Sequence, residues 1–409
     1  MGRRADHPTH PGVDLVAGEF WAGDPHTPLG WMRENAPVYW DEKGQVWGIT
    51  AYEDVRHISR HPDTWSSAGG IRPAYPALPM MIDMDDPEHW RRRKLVNRGF
   101  TPRRVRDQAE RIHEVCDALI DKVCETGSCD FVWDLAAPLP LIMIGDALGV
   151  APKDRDQLMT WSDDMLRGQT EGDEGAIVRA ADAFVGYTSY AERVIADRRA
   201  EARDDLMSVL VHAEVDGDRL DHDSLVHESL LILIGGDETT RHVLSGGMYQ
   251  LATHPDQWAA LVADRSLMPG AVEEMLRWVS PIKNMARTVT ADVDYGGQTM
   301  AAGDEVLLLY PSANRDAAVF DDPMAFDIRR SPNEHVAFGF GPHFCLGNSL
   351  ARLELSIMFD RLADRLPDIH PGDDIASEAD LHWRVANFIS GYERMPVEFT
   401  PTAPVGASV

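Results

Sequence analysis

The sequence predicts a mainly helical chain with a minor β portion, and three observations lead there. Apolar residues recur at helical spacing from about residue 86 onward, as in Ile112–Val123, Leu139–Val150 and Asp182–Ala200. Ser224 to about Thr253 reads as one long helix, and its Leu230-Leu231-Ile232-Leu233-Ile234 run is apolar on every face, the pattern of a buried helix. Strand signals are confined to Pro37–Thr50, Val306–Tyr310 and the neighbourhood of Phe388-Ile389. With 409 residues, 44% of them hydrophobic, the chain can bury a large core. No internal repeat or low-complexity linker divides it, so residues 1–409 are expected to form a single domain.

Taken in order, residues 1–30 are rich in Pro, Gly and His and are expected to be irregular. Val38-Tyr39-Trp40 and Val46-Trp47-Gly48-Ile49 then flank the turn Asp41-Glu42-Lys43-Gly44. Pro269 is placed to open a helix. That helix carries Glu274 and Arg277, an acid and a base at i, i+3 on one face. A last helical pattern, Ser349 to Leu355, starts directly after Cys345.

Composition sets limits on function. Lys+Arg 39 against Asp+Glu 67 gives a net charge of −28, which repels nucleic acid and anionic membrane and favours solubility. The cysteines are Cys116, Cys124, Cys129 and Cys345. They form no Cys-x-x-Cys pair, which argues against a zinc site, and no secretion signal supports a disulfide framework. Arg3-Arg4 lacks the apolar run a signal needs, and no segment approaches the roughly 18 apolar residues of a membrane span. A cytoplasmic protein is expected.

Two segments carry chemistry. Phe338-Gly339-Phe340-Gly341-Pro342-His343-Phe344-Cys345-Leu346-Gly347 wraps three glycines and a proline around one thiol. A helix N-terminus and free amides beside that sulfur are expected to lower its pKa, as suits a soft anionic ligand held against a metal. The second is Gly235-Gly236-Asp237-Glu238-Thr239-Thr240, inside the long apolar helix. Two helix-interior glycines cost about 1 kcal/mol each relative to alanine. Buried acids and hydroxyls cost more unless partnered, so strained or unwound helix at a functional site is one expected reason.

These strings resemble the cytochrome P450 family. The first matches its haem-binding loop, F-x-x-G-x-x-x-C-x-G, and the second its oxygen-activation motif, [A/G]-G-x-[D/E]-T. The resemblance implies a heme b whose iron is ligated by Cys345, with Phe338 and Gly339 against the cofactor. It makes Glu238 the acid and Thr239 the hydroxyl beside dioxygen, with room left by Gly235 and Gly236. His89 and Arg93 match H-x-x-x-R, Arg287 follows Pro281 as in P-x-x-x-x-x-R, and His343 stands two before the cysteine. All four are expected to hold the haem propionates. Glu274 and Arg277 become the pair that supports the proximal side. Its usual third, basic partner in P-x-[R/K/H]-F is replaced by Ala325 in Pro323-Met324-Ala325-Phe326, leaving Arg329, Arg330 or backbone carbonyls to substitute.

The resemblance runs from about Val13 to Pro401. It is closest to the soluble actinobacterial branch that oxidises the side-chain terminus (26/27) of cholesterol and cholest-4-en-3-one. The residues behind that are Ser67–Pro73, Ala77–Asp85, Ser280–Met285 and Asn387–Gly391. Candidate channel walls are Ile71, Met80, Leu231, Ile234, Gly235, Ile282, Met285, Phe388 and Ile389. Residues 91–106 hold eight cations (Arg91, Arg92, Arg93, Lys94, Arg98, Arg103, Arg104, Arg106) and no acid. In an acidic protein such an island suits docking of an acidic ferredoxin, which with its reductase is the family-implied electron donor. Other readings stay open: the same chemistry on a branched fatty acid or macrolide, or a haem-thiolate sensor or carrier. A sensor has no use for Glu238-Thr239 in a buried helix, and overall charge disfavours a nucleic-acid binder.

Overall fold

The computed structural model describes residues 7–170 and 174–407. The axis of the fold is the helix His222–Thr253. Its 32 residues span about 48 Å at 1.5 Å per residue. Asp221 caps its start, accepting from Ser224 N at 2.7 Å. Pro138–Ala147, Met268–Val279 and Asn348–Arg365 pack against it, which explains why its apolar run shows no polar face. The helix Ala109–Val123 buries Ile112, Val115, Cys116, Leu119, Ile120 and Val123 at the predicted spacing.

One five-stranded sheet lies to the side. Its order is Val38–Asp41, Val46–Ile49, Glu305–Leu308, Met285–Val289, Trp65–Ser66. The first pair is the predicted hairpin, with Val38 opposite Ile49. The strand Glu305–Leu308 then joins in parallel, Trp47 opposite Val306, and it pairs antiparallel with the next, Met285 opposite Leu308.

Two expectations need correction. Residues 18–35 are not irregular: Gly18–Ala22 and His26–Asn35 are helices. Trp21, Leu29 and Met32 are fully buried beside Val13 and Leu15, so tertiary burial overrides a composition poor in helix formers. Near Phe388-Ile389 there is no strand, only an isolated bridge between Ile282 and Ile389. The true strands lie on either side, at His382–Trp383 and Tyr392–Arg394.

Glu274 and Arg277 are wholly buried and joined twice, at 2.8 and 2.7 Å. The basic partner missing from the Pro323 segment is supplied by Arg330, whose Nε stands 3.2 Å from Glu274 Oε2. Asn333 and the Asp327 amide also donate to Glu274, at 3.0 and 2.8 Å. Ala325 contributes only its carbonyl, which accepts from both Arg277 and Arg330. Burial would raise the Glu274 carboxyl, but Arg277 holds it below its usual range. Glu274→Gln leaves two guanidiniums facing an uncharged group in the interior, and the expected loss is about 3–5 kcal/mol. Urea unfolding followed by circular dichroism reads it; an unchanged midpoint would show that Asn333 and the carbonyls suffice.

Candidate active site

The cysteine loop is set by backbone bonds. Cys345 N donates to Phe338 O at 2.9 Å, and Gly339 N to Val336 O at 2.9 Å. Gly341 has φ +74°, and a Cβ there would sit 2.5 Å from Ser59 O, so both conformation and space demand glycine. Asn348 Nδ2 donates to Cys345 O at 2.7 Å, tying the loop to the helix that follows.

The Cys345 thiol departs from expectation. Burial pushes its pKa up; the Gly347 amide, Arg93 and Arg352 offset only part of that. A helix N-terminus lowers a thiol that water can reach; Cys345 is half-buried, but the protein packed around its sulfur makes desolvation the larger effect. A coordinated metal cation would reverse the balance, since a ligating thiol is deprotonated outright.

A support residue that sequence reading missed is Glu273. It binds Arg352 at 2.6 and 2.8 Å and His335 at 3.0 Å. Arg352 in turn lies 4.6 Å over the Phe338 ring, bracing the loop.

Between this loop and the central helix lies one large, mainly apolar cavity. Cys345, Phe338, Gly339, His343, His89 and Arg93 line it, together with Gly235 and Thr239. So do Ile71, Leu231, Ile234, Ile282, Met285, Phe388 and Ile389. Met80 does not. It is buried in a neighbouring apolar cluster, and the short turn Met81–Asp83 brings Met81 to the wall instead.

His89 is almost fully buried; its Nδ1 lies 3.2 Å from Asp86 and its Nε2 has no partner among the described residues. The His89 and His343 rings lie 4.2 Å apart. His343 Nε2 lies 3.2 Å from Ser67 Oγ. Burial, with Arg287, His89 and Arg93 nearby, pushes His343 down to about 2, so it is neutral. Arg93 donates to the Phe344 carbonyl. Arg287 stands behind the wall rather than in it, buried, with Nη1 on Ala286 O at 2.7 Å.

The central helix continues unbroken through its glycines, contrary to the expected unwinding. Thr239 Oγ1 donates to Gly235 O at 2.9 Å. A Cβ at Gly235 would meet nothing within 4 Å, so this position opens onto the cavity, while one at Gly236 would press on Ile144 at 3.1 Å. Glu238 does not reach the cavity. One position before Thr239, it points about 100° away around the helix. There it is buried, pairs with Arg241, and accepts from Arg384 Nη1 at 2.9 Å. Arg384 also bonds Asp163 and, at 2.9 Å, Glu393. Asp237, also buried, accepts no well-formed hydrogen bond among the described residues, with Ser162 its neighbouring hydroxyl, and burial followed by the adjacent Glu238 raises its carboxyl above the usual range.

The basic island is partly neutralised. Arg92 reaches the buried Glu228 at 3.2 Å, Lys94 meets Asp216 at 2.6 Å, and Arg104 meets Asp204 at 3.4 Å. Arg91 pairs with Glu88 at 3.3 Å and Arg103 with Asp107 at 3.7 Å. Arg98 and Arg106 are exposed and carry no ion pair among the described residues.

Residues 174–366 match the family model described as Cytochrome P450. The chain is 56% identical to the steroid C26-monooxygenase of Mycolicibacterium smegmatis, over 97% of this chain and 98% of that one. The chain belongs to the cytochrome P450 family. A steroid C26-monooxygenase of Mycobacterium tuberculosis is 54% identical over 97% and 99% of the two chains. Among solved structures, the Bacillus megaterium P450 CYP109E1 in complex with corticosterone superposes with a TM-score of 0.84 at 34% identity, covering 92% of this chain and 98% of that one.

This P450 is a monooxygenase whose cofactor is haem. The cavity fits that group. Gly347 and Gly235 line it with open space where a side chain would stand, and the unpartnered His89 Nε2 is a buried polar atom in its wall. No helix of the described residues is long and apolar enough to cross a membrane.

Glu273 generates a pH prediction. Burial would raise its pKa, but Arg352 and His335 lower it to about 2, against 4.5 unfolded. Its stabilisation is therefore complete above about 4.5 and is lost as pH falls toward 2. Glu273→Gln should flatten the acid limb of a thermal-stability profile across that window; an unchanged limb would show that Glu273 does not drive it.

Proposed function

We propose that this P450 hydroxylates the terminal methyl of a sterol side chain, with cholesterol or cholest-4-en-3-one as substrate. The observation that carries the reading is the cavity wall. Ile71, Leu231, Ile234, Ile282, Met285, Phe388 and Ile389 come from separate segments of the chain and converge as one apolar lining above the Cys345 loop. Near-full-length identity to two steroid C26-monooxygenases supports the same substrate class.

The haem, when bound, supplies an iron that activates dioxygen with two electrons and two protons, placing one oxygen atom in a C–H bond and releasing the other as water. The chain's residues do the rest. Cys345 provides the sulfur ligand, with Phe338 and Gly339 against the cofactor. His89 Nε2, Arg93 and His343 hold the propionates, and Arg287 adds positive charge from behind. The apolar wall excludes water and orients the guest tail first, so geometry selects the carbon. Thr239 Oγ1, held toward Gly235 O, is the last proton donor before the cavity. Glu238, turned away from the cavity, anchors the helix beside Thr239 through Arg384, which also holds Asp163 and Glu393.

The whole chain acts as one domain, in the cytoplasm, fed by a reductase and an acidic ferredoxin. Arg98, Arg106 and the outward faces of Arg91 and Arg103 form the docking surface; Arg92 is committed inward to Glu228.

Incubation with ferredoxin, reductase and cholest-4-en-3-one should yield a sterol bearing its new hydroxyl on the terminal methyl, identified by mass spectrometry and NMR. Ring oxidation, or brisk fatty-acid turnover without sterol turnover, would refute the substrate. In the same assay Thr239→Ala should divert electrons to peroxide, with product per electron falling about 10²-fold or more; unchanged product per electron would remove Thr239 from proton delivery. Reversing Arg98 and Arg106 to Glu should slow reduction at low salt, with the effect shrinking as exposed charges are screened beyond about 8 Å at physiological ionic strength. Normal stopped-flow reduction at every salt concentration would contradict the docking surface.

A further inference from the structure

The cavity wall is apolar except for a small set of polar side chains. His89, Arg93, His343 and Cys345 are taken by the cofactor reading, and Thr239 and Thr240 belong to the central helix. Tyr310 lies beside the buried Arg287, and Glu354 beside Asp237. Arg72 remains. It lines the cavity among residues of the substrate wall: Ile71 precedes it, and its guanidinium lies 5.8 Å over the Phe388 ring.

Its placement is built. Asp83, itself buried, accepts from Ile71 N at 2.9 Å, Leu78 N at 3.0 Å and Arg72 Nη1 at 3.0 Å. The side chains are 9% and 0% exposed. One carboxylate thus closes the loop from residue 71 to 83 and fixes the guanidinium against Phe388. Nε and Nη2 are left without a partner among the described residues. A charged group in an apolar wall is costly unless balanced, and Asp83 balances it. The pair is net neutral but still presents strong, oriented donors.

We propose that Arg72 determines specificity by donating a hydrogen bond to a neutral oxygen, a carbonyl or hydroxyl, at the polar end of an otherwise apolar substrate. The inference rests on the sterol reading above and deepens it. A carboxylate guest gains little, because Asp83 already cancels the charge that would attract it. A neutral oxo or hydroxyl group gains a charge-assisted hydrogen bond without adding charge to the wall. An apolar guest lacking that oxygen leaves the donors desolvated and unpaired, which is how a site rejects an analogue.

The test uses the haem-loaded enzyme titrated with cholest-4-en-3-one and with cholest-4-ene, which lacks the oxygen, following the haem absorption band. Wild type should bind the oxo sterol roughly ten- to hundredfold more tightly. Arg72→Leu should abolish that preference by weakening the oxo sterol alone. Arg72→Lys should retain part of it. If Arg72→Leu fails to take up haem, Arg72→Gln, a neutral donor, should show an intermediate preference. Equal weakening for both sterols, or a preference that survives loss of the guanidinium, would make Arg72 structural and overturn the inference. Wild type binding both sterols equally would overturn it while leaving the sterol reading standing. Wild type binding neither, but binding a fatty acid, would overturn both.

Discussion

The proposed site turns on one constraint: the sulfur of Cys345, half-buried and largely desolvated by the protein around it, must still be available as an anion if it is to hold the haem iron. Burial alone pushes that thiol toward its neutral form. The loop's amides and the nearby Arg93 and Arg352 are not enough to reverse it. With the haem bound as proposed, the positive charge of its iron would supply the remaining compensation. The cofactor would then be part of the site's electrostatic balance as well as its reagent.

Rigidity around that sulfur is layered. Arg352 braces Phe338, Glu273 holds Arg352, and the adjacent Glu274 gathers Arg277, Arg330 and Asn333. Two neighbouring acids on one helix thus face different ways. One supports the Cys345 loop, and the other ties residues 314–333 to the helix. The opposite wall is organised by another carboxylate, Glu228 of the central helix, which accepts from Met81 N at 2.8 Å and from Arg92 at 3.2 Å. Buried acids position both faces of a cavity whose own wall is mainly apolar.

What could be read in the sequence was local. Cys345 in its glycine loop, Gly235 and Thr239 four apart, and His89 and Arg93 four apart are spacing relations, and the structure brings all of these residues to one cavity. The hairpin at Val38–Ile49 and the long buried helix were legible for the same reason. Side-chain direction and long-range pairing were not. Glu238 is one residue from Thr239 yet faces Arg384, 146 positions later. Met80 yields the wall to Met81 through a single short turn. The basic island reads as uncompensated only until Asp204, Asp216 and Glu228 fold onto it. The helices of residues 18–35 escaped notice because Trp21 and Leu29 earn their structure from the core they fill, not from propensity.

The central claim, that Cys345 as thiolate organises a haem site between the central helix and the loop, has a direct optical test. The reduced, carbon-monoxide-treated protein is compared with Cys345→Ser. The wild type should absorb at the red-shifted position typical of a thiolate ligand, and the variant should lose that band while keeping its helical circular dichroism. A band retained in Cys345→Ser would mean that another group holds the iron, and would contradict the account at its root.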